Sequence, residues 1–461
     1  MDAATGAVHD VVVVGAGVVG CAVARALSHH RLDGEVVRVA LVDARPDIGA
    51  GTSKANTAIL HTGFDAVPGS VESRLVARGA ELLHAYAPGA GISIERTGAV
   101  LVAWDDEQAA RLPELAAKAA TNGYHAAQVL DAAEVRELEP HLGPGVTGGM
   151  LVPDEHLIDP WTTPIAFAHD ARANGAEVLT NTAVERVEVG DDITVLHTTD
   201  GRTLRTRHVV NAAGLQGDVL HRAFGLDGFT IRPRRGELIV FDALARPLLN
   251  RTILPVPTAH TKGVLVAPTV FGNVMLGPTA DDIDDREATG STTAGIAGLL
   301  EKGRRILPSL LDEEVTAIYA GLRAATEHSD YQLSVHPDLR YVCLGGIRST
   351  GLTASMALGE EAVELLARAG LALTPRDAAE MEHVRRTPLG EVDERPYRRG
   401  GRIVCHCELV TADEITAACR EALPAVDLDG LRRRTRATTG RCQGFYCFAE
   451  VCALTGWDPA R

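Results

Sequence analysis

Residues 11–20 of the chain read VVVVGAGVVG, so four β-branched residues lead directly into a glycine-rich turn that an apolar helical pattern follows. Gly15, Gly17 and Gly20 have the spacing G-x-G-x-x-G. At that spacing the first glycine permits a tight turn, the second lets a pyrophosphate approach the backbone, and the third lets the helix pack closely against the strand. The free N–H groups at the start of such a helix bind phosphate. The pattern therefore predicts a strand–turn–helix unit that binds a dinucleotide.

A second apolar run, residues 36–42, ends in Asp43. An acidic residue at the end of the second strand is placed to accept hydrogen bonds from an adenosine ribose. The alternative is a purely structural strand–turn–helix unit without a ligand. The strand, the glycines, the helix and the acidic residue occur together, which favours a binding site. By themselves they are compatible with NAD, NADP or FAD.

The chain has 461 residues and a formal net charge of −16. This length predicts two or three domains, and the acidic balance argues against nucleic acid or an anionic membrane surface as the main partner. No apolar run approaches the roughly 20 residues that a membrane-spanning helix needs. No lysine or arginine precedes the first apolar run, which is itself the glycine motif, so no signal peptide is expected. We predict a cytoplasmic protein, with peripheral attachment to the inner face of the membrane as the alternative.

The stretch GTSKANTAILHTGFD, residues 51–65, contains small residues that permit close approach of the backbone to a flat ligand. It resembles the flavin-contacting loop of FAD-dependent oxidoreductases of the D-amino-acid oxidase superfamily. The likeness is strongest to the large subunit of anaerobic-type glycerol-3-phosphate dehydrogenases and to L-2-hydroxyglutarate dehydrogenases. The resemblance implies that FAD is the cofactor, that Ser53 contacts it, and that His61 lies at the isoalloxazine ring as the active-site base. A histidine at the surface or in the core is the structural alternative.

Two later segments resemble FAD-contacting parts of the same superfamily. The strand that ends in NAAG, residues 211–214, is expected to return beside the first strand. The segment GGIRSTGLTAS, residues 345–355, opens a helix whose N-terminus resembles the one that points at the flavin pyrimidine, where it stabilises the negative charge of a reduced flavin. For Val184, simple strand packing is the alternative to a backbone contact with adenine. The resemblance implies cofactor contacts at Val184, Ala213, Gly214, Gly346, Gly351, Leu352 and Thr353.

Two arginines follow apolar, strand-like or turn segments, where an unpaired charge would be costly: Arg323 in AGLRAATEHSDYQL and Arg348 in GGIRSTGLTAS. An arginine in such a place needs an anion, and its planar fork suits a carboxylate or a phosphate. The alternative for each is a buried pair with an aspartate or glutamate. Both local patterns resemble those that bind substrate in the family. Lys262 resembles a lysine of the glycerol-phosphate relatives and is expected to reach an anionic substrate.

The stretch GGMLVPDEHLIDPW, residues 148–161, precedes a helix that Asp159 and Pro160 are placed to start. Its acidic and histidine residues are expected to be structural or to face solvent. For His156, contact with substrate is the alternative.

Four of the eight cysteines lie near the C-terminus as two close pairs, Cys405 with Cys407 and Cys442 with Cys447. Two such pairs in a small helical fold can place four thiolates around one metal centre. Zinc is the alternative, although structural zinc pairs are typically separated by about two to four residues. RIVCHCELVTADEI and RRRTRATTGRCQGFYC resemble the [2Fe–2S] domain of the bacterioferritin-associated-ferredoxin type, which implies that these four cysteines bind such a cluster.

A basic run, residues 432–436, lies within this C-terminal region. It is expected to offset the negative charge of a four-thiolate cluster or to dock an acidic partner. The other cysteines are expected to be buried small hydrophobes: Cys21, Cys343, Cys419 and Cys452. For Cys452, a place near the cluster is the alternative.

The predicted fold class is α/β, with a Rossmann-type FAD-binding domain, an antiparallel-sheet substrate domain and a small helical C-terminal [2Fe–2S] domain. Short, turn-bounded apolar runs between residues 231 and 277 indicate the antiparallel sheet. A stretch rich in charge and proline, residues 371–402, is predicted to be a linker. The FAD-dependent region is predicted at residues 1–370 and the [2Fe–2S] domain at 403–461. Within the former, we assign 1–85, 150–230 and 325–370 to FAD binding, and 86–149 and 231–324 to the substrate domain.

Together these features predict an FAD-dependent dehydrogenase. A small anionic 2-hydroxy substrate is expected to dock on Arg323 and Arg348, helped by Lys262. His61 is then expected to take the hydroxyl proton while the carbinol hydride passes to flavin N5. The cluster is expected to pass electrons one at a time to an acceptor protein or a partner subunit, and a quinone-linked acceptor is one option. A one-electron carrier favours a dehydrogenase over an oxidase.

The favoured reaction is the oxidation of sn-glycerol 3-phosphate to dihydroxyacetone phosphate, because the likeness to that family covers most of the chain. L-2-hydroxyglutarate or a related 2-hydroxy acid is the first alternative substrate, and an amino acid or opine is the second. A different class is a flavin and iron–sulfur subunit that only transfers electrons. A homo- or hetero-oligomer is compatible with each of these.

Overall fold

The computed structural model describes residues 8–257 and 263–458. The opening strand lies inside a sheet of eight strands and pairs in parallel with the strand on each side. Val14 pairs with Asn211, so the strand that ends in NAAG returns beside the first strand, as predicted. The strands of this sheet are β1 (Val8–Val14), β4 (Val39–Val42), β11 (Glu177–Leu179), β12 (Val184–Val189), β13 (Thr194–Thr198), β14 (Thr203–Asn211), β21 (Gln332–His336) and β22 (Tyr341–Gly345).

Both faces of the opening strand are buried. Val11 and Val13 belong to the apolar cluster that the helices α1, α5 and α8 form on one face, and Val12 and Val14 belong to a second cluster. The sequence of the strand is therefore an unbroken apolar run instead of an alternating one.

None of the helices in the described residues is long and apolar enough to cross a membrane. The helices are α1 (Val18–Ser28), α2 (Val71–Ala90), α3 (Asp106–Thr121), α4 (Ala132–Leu138), α5 (Thr162–Ala173), α6 (Gly217–Ala223), α7 (Thr293–Ile306), α8 (Gly351–Arg368), α9 (Ala412–Ala418), α10 (Leu428–Thr435) and α11 (Phe448–Thr455).

A second sheet has nine strands and forms the other large layer of the chain. The antiparallel pairing predicted for it holds for every pair of strands except β7 with β16, which run parallel. Its strands are β7 (Ala99–Ala103), β8 (Gln128–Asp131), β9 (Gly148–Val152), β15 (Arg232–Phe241), β16 (Thr252–Pro255), β17 (Leu265–Pro268), β18 (Val274–Gly277), β19 (Asp281–Asp282) and β20 (Val315–Ala325).

A small sheet of three strands lies between these layers and positions the site described below. Its central strand pairs His156 with Leu60, which places the residue before His156 beside the residue after Leu60. The strands are β5 (Ile59–Leu60), β6 (Ile94–Glu95) and β10 (His156–Ile158). The remaining short strands pair at the periphery and in the C-terminal region: β2 (His30–Leu32), β3 (Glu35–Val36), β23 (Thr374–Pro375), β24 (Ile403–Cys405) and β25 (Val410–Thr411).

The C-terminal region has a small core of its own, in which Val404, Ile415, Leu431 and Val451 are buried. Helices α9 to α11 and one two-stranded sheet surround that core. The α/β fold class with a small helical C-terminal domain is therefore as predicted.

The basic run 432–436 binds within the chain instead of facing a separate acidic partner. Arg433 and Arg434 form ion pairs with the buried Asp47, which follows β4, and Arg436 pairs with Glu408. The prediction that this run offsets cluster charge was incomplete, because two of its arginines dock the C-terminal domain on the rest of the chain.

Residues 371–402 lie along the first domain and contain only short 3₁₀ turns and one two-residue strand. The backbone N–H of Arg386 donates to the Ala90 carbonyl at 2.9 Å. The side chain of Asn174 donates to the Glu382 carbonyl at 2.8 Å. The stretch predicted as a linker is therefore held to the domain surface by specific hydrogen bonds.

Candidate active site and cluster site

A cavity of about 1180 Å³ lies between the two large sheets, at the carboxyl end of the opening strand. Pockets that hold drug-sized ligands typically measure about 300–1,000 Å³, so this cavity has room for a dinucleotide and a small substrate. Most of the predicted cofactor contacts line it: Gly15, Gly17, Asp43, Ser53, Val184, Ala213, Gly214, Gly346, Gly351 and Leu352. Whether each of them touches FAD stays a prediction.

Each glycine of the motif has a steric reason in the structure. Gly15 has a φ of +109°, and a Cβ there would lie 2.4 Å from the Ala212 carbonyl oxygen. A Cβ on Gly20 would lie 1.7 Å from the Gly15 carbonyl oxygen, so that glycine lets α1 pack against the turn. Gly17 is the N-cap of α1, and a Cβ there would approach only the Ser53 hydroxyl, at 3.2 Å. The start of α1 thus offers a bare backbone to the cavity, which fits the pyrophosphate of a dinucleotide.

Asp43 both lines the cavity and supports the glycine turn. Its carboxylate accepts hydrogen bonds from the backbone N–H of Ala16 at 2.6 Å and of Arg45 at 2.8 Å. Burial raises the pKa of this carboxyl. The anchored carboxylate fits the predicted contact with a ribose hydroxyl, which the structure leaves as a prediction.

Thr353 and Gly20 do not line the cavity, in contrast to the other predicted contacts. The Thr353 side chain is fully buried; its hydroxyl accepts from the His61 backbone N–H at 3.0 Å and donates to the Ile59 carbonyl at 3.2 Å. The side chain of Thr353 therefore supports the backbone on either side of Leu60, at Ile59 and His61. The prediction had placed Thr353 against the cofactor.

His61 lines the cavity and is held by a buried glutamate. Its Nδ1 lies 2.6 Å from Oε1 of Glu155, whose side chain is only 1% exposed. The other oxygen of Glu155 accepts from the backbone N–H of Thr62 at 2.7 Å and from its hydroxyl at 3.0 Å. A carboxylate at Nδ1 favours the tautomer with the proton on Nδ1, so Nε2 remains as an acceptor. The pair can therefore take a proton from a group in the cavity.

No sequence pattern singled out Glu155, because the acidic residues of its stretch were expected to be structural or solvent-facing. It reaches His61 only through the pairing of β10 with β5, across 94 positions of the chain. His156 lies beside it but is buried against His84, with ring centroids 5.7 Å apart, and does not line the cavity. The structure therefore gives no support to a substrate contact of His156.

Arg323 lines the cavity from β20 and lacks an acidic partner among the described residues. Its one hydrogen bond within the described residues is long, with 3.4 Å between Nη1 and the Thr279 carbonyl oxygen. Desolvation, together with the nearby charge of Arg234, lowers the pKa of Arg323 to about 10. The guanidinium is still protonated at neutral pH, so this part of the cavity is suited to an anion.

Arg348 also lines the cavity, but its charge is already balanced. Its Nη2 lies 3.7 Å from Oε2 of Glu72 and also donates to the Ser329 carbonyl. The structural alternative given for these arginines, pairing with an acidic residue, is thus realised at Arg348 and, within the described residues, not at Arg323. The predicted substrate contact of Lys262 lies outside the described residues.

The four predicted metal ligands converge in two pairs. The thiol of Cys407 lies close enough to that of Cys442 for the two to influence each other's pKa, and the same holds for Cys447 and Cys405. Backbone N–H groups, with that of Tyr446 foremost, lower the pKa of Cys442 and so favour its thiolate. No group of three or more His, Cys, Asp or Glu side chains in residues 8–257 and 263–458 is placed to hold a single ion. Two pairs of thiols suit a binuclear [2Fe–2S] cluster, in which each iron takes two thiolates.

The other cysteines form no disulfide. Cys21 and Cys343 are fully buried, and burial raises the pKa of Cys343 to about 12, as expected of inert core thiols. Cys419 and Cys452 are only half-buried. The prediction of burial therefore holds for the first two and not for the last two.

Residues 10–365 match a family model described as FAD dependent oxidoreductase, and residues 403–454 match one described as BFD-like [2Fe-2S] binding domain. A glycerol 3-phosphate dehydrogenase from Caloramator mitchellensis is 31% identical over 457 residues, which are 96% of this chain and 93% of that protein.

Two further relatives show the same likeness over shorter spans. The mitochondrial L-2-hydroxyglutarate dehydrogenase of Caenorhabditis briggsae is 27% identical over 72% of this chain and 78% of its own length. Among solved structures, the dithionite-reduced L-α-glycerophosphate oxidase from Mycoplasma pneumoniae with FAD bound has a TM-score of 0.75 and 30% identity, covering 80% of this chain and 97% of that one.

Proposed function

This chain belongs to the FAD-dependent oxidoreductase family and carries a BFD-like [2Fe–2S] binding domain, and we propose that it oxidises sn-glycerol 3-phosphate to dihydroxyacetone phosphate. It is an FAD-dependent dehydrogenase whose cofactors are FAD and a [2Fe–2S] cluster. Bound FAD supplies a two-electron acceptor, and the cluster supplies a one-electron carrier. The observation that carries the substrate proposal is Arg323, a half-buried cation without an acidic partner among the described residues, in the cavity that also contains His61.

Arg323 binds the phosphate of the substrate. A desolvated guanidinium without a counter-ion is unfavourable, and a phosphate ester supplies both the charge and the acceptor oxygens that it lacks. The pKa of about 10 keeps the guanidinium protonated at neutral pH. Binding therefore positions the rest of the small substrate in the same cavity.

His61 takes the hydroxyl proton at the carbon that is oxidised. Its Nδ1 faces the Glu155 carboxylate at 2.6 Å, so Nε2 is the nitrogen that accepts. The buried negative charge of Glu155 stabilises the imidazolium that forms. Thr62 holds the second carboxylate oxygen, so the glutamate and the ring keep their relative orientation.

The state of Arg348 favours a substrate with one anionic group over a dicarboxylate. Glutarate-type substrates carry two carboxylates and would need two free cations, but the charge of Arg348 is balanced by Glu72. The relatives that act on L-2-hydroxyglutarate keep that acid as the second candidate substrate. Arg323 has no acidic partner among the described residues whereas Arg348 has one, and a cavity lined by both fits one phosphate better.

An acceptor protein takes the electrons from the cluster domain. Phe445 and Tyr446 lie between two of the predicted cluster ligands, Cys442 and Cys447, and are 84% and 79% exposed. Exposed aromatic side chains of this size are typical of a surface that binds a partner. The alignment with the dehydrogenase relative spans 96% of this chain, against 80% for the oxidase structure, which also favours a dehydrogenase with a protein acceptor.

Anaerobic stopped-flow bleaching of the bound flavin tests the substrate proposal. sn-Glycerol 3-phosphate is expected to reduce the flavin rapidly, whereas glycerol, which lacks the phosphate, is expected to reduce it at least about a hundredfold more slowly at equal concentration. L-2-hydroxyglutarate and amino acids complete the panel. Faster reduction by L-2-hydroxyglutarate would refute the proposal in favour of the second candidate. Reduction only by an added reductase would instead show an electron-transfer subunit.

A further inference from the structure

The chain between Asp43 and Ser53 has two faces with different neighbours. One face lines the FAD cavity through Asp43, Arg45 and Ser53. The other face contacts the C-terminal [2Fe–2S] domain through Asp47 and, one residue beyond Ser53, through Lys54. We refer to residues 43–54 as the flavin loop.

Asp47 is the main contact of the flavin loop with the C-terminal domain, and it is only 3% exposed. Its Oδ1 accepts from Nη2 of Arg434 at 2.8 Å and its Oδ2 from Nη1 of the same residue at 2.7 Å, so this pair is bidentate. Arg433 adds a third hydrogen bond at 2.5 Å. Gly430 lets α10 come this close, because a Cβ there would lie 2.5 Å from Oδ2 of Asp47.

Arg434 is itself fixed from the side of the C-terminal domain. Its side chain is fully buried, its Nε donates to Glu421 at 2.8 Å, and its remaining N–H groups donate to the carbonyls of Leu423 and Gly430 at 2.9 and 3.0 Å. Every donor of the guanidinium therefore has a partner. A side chain held in this way is a rigid support for the loop that it contacts.

The far end of the flavin loop is held by a second group of contacts. Lys54 forms an ion pair with Asp429 of α10. The indole N–H of Trp161 donates to the Lys54 carbonyl at 3.1 Å. The indole also stacks on the ring of Phe271, with 5.3 Å between the ring centroids. The guanidinium of Arg436 lies 4.0 Å from the centroid of the Phe271 ring. The C-terminal domain thus touches the loop near both of its ends.

We propose that the docked [2Fe–2S] domain is a structural part of the FAD site, because Arg433 and Arg434 hold Asp47 and so keep the flavin loop in the conformation that binds FAD. Without these arginines Asp47 would be a buried carboxylate without a counter-ion, which destabilises this conformation of the loop relative to one that exposes the carboxylate to water. Such a movement would displace Asp43 and Ser53, which lie on the same loop and face the cavity. Arg433 and Arg434 are therefore positioning residues for a cofactor that they do not touch.

The size of the effect follows from the fraction of molecules with a competent loop. The apparent dissociation constant equals the intrinsic constant divided by that fraction. If the competent fraction falls to about a tenth, FAD binds about tenfold more weakly. The proposal rests on the FAD-binding fold and not on the substrate, so its failure and a failure of the proposed substrate are separate results.

The test replaces Arg434 in the full-length protein with methionine, which has a similar length and no charge. The apparent dissociation constant of FAD is measured from the fluorescence of FAD released on dilution, and iron and labile sulfide are measured on the same samples. We expect at least about tenfold weaker FAD binding with unchanged iron content. The matched control is Arg420→Met, which removes an exposed arginine of the same domain and is expected to leave FAD binding unchanged.

A second variant keeps the proposal testable if Arg434→Met does not fold. Gly430→Ala adds one methyl group against Asp47 and removes no charge, and it is expected to weaken FAD binding in the same direction. The double variant Asp47→Leu with Arg434→Met replaces the pair with apolar groups and is expected to regain part of the lost affinity. FAD binding within about twofold of the wild type in a folded, iron-loaded Arg434→Met or Gly430→Ala protein would overturn the proposal.

Discussion

Replacement of Glu155 with glutamine is the sharpest test of the base assigned to the active site. The carboxylate accepts three hydrogen bonds, from Nδ1 of His61 and from the backbone and hydroxyl of Thr62. Glutamine keeps the shape but has a single acceptor oxygen and a donor NH₂ group. One of the N–H groups now bound to Glu155 would therefore face another donor. The buried negative charge beside the imidazole is lost as well.

The magnitude follows from the kind of hydrogen bond that is lost. A hydrogen bond to a charged group contributes about 1.5–3 kcal/mol, and each 1.36 kcal/mol is a factor of ten in rate. Because the Glu155 side chain is only 1% exposed, water cannot replace its charge. We expect flavin reduction by substrate to be about 10- to 150-fold slower in Glu155→Gln, with substrate binding changed much less.

The measurement is the rate of flavin bleaching in anaerobic stopped flow, at several substrate concentrations, so that binding and reduction separate. Glu139→Gln is a matched control, because Glu139 is equally buried but does not line the cavity. That variant is expected to reduce its flavin at the wild-type rate. A Glu155→Gln protein that is folded and reduces its flavin within about threefold of the wild type would refute the role of Glu155.

Three further predictions follow from the site and its surroundings. Arg323→Met is expected to lower kcat/KM for sn-glycerol 3-phosphate by about 10- to 150-fold, and Arg348→Met by less, because Glu72 already balances Arg348; steady-state kinetics on both variants checks the order. Cys442→Ser is expected to lose the cluster iron while FAD remains, and Cys452→Ser to keep it, by iron and flavin quantitation. Burial raises the pKa of Glu139 to about 7, so its contribution to stability is present below its unfolded pKa and is lost as the pH rises through 7. Glu139→Gln should therefore raise the thermal unfolding midpoint more at about pH 8 than at about pH 5, and an equal shift at both would contradict this.

The elements that were predicted correctly from the sequence are those whose signal lies in neighbouring residues. The run of valines, the glycine spacing and the helix that follows are consecutive, and the structure places them as β1, a tight turn and α1. The two cysteine pairs are also local, since only a few residues separate the two cysteines of each pair. The folding of the small C-terminal domain then brings the two pairs together.

The partners of charged groups could not be predicted in the same way. Arg323 and Arg348 occur in similar sequence contexts, yet only Arg348 has an acidic partner within the described residues. That partner, Glu72, lies on α2, and nothing near either arginine in the sequence distinguishes the two cases. Ion pairing depends on which distant segments the fold packs together, and a local pattern carries no information about that.

By itself the sequence identified the glycine motif, the histidine of residues 51–65 and the two close cysteine pairs, because each is a short pattern of residue types whose spacing restricts the backbone. Only the tertiary structure decided what supports them. Glu155 reaches His61 across 94 positions and Asp47 reaches Arg434 across 387. Both carboxylates are buried, and burial is what makes a carboxylate effective there, since it removes the water that would otherwise screen its charge. Burial is a property of the packed fold, and no local run of residues specifies it.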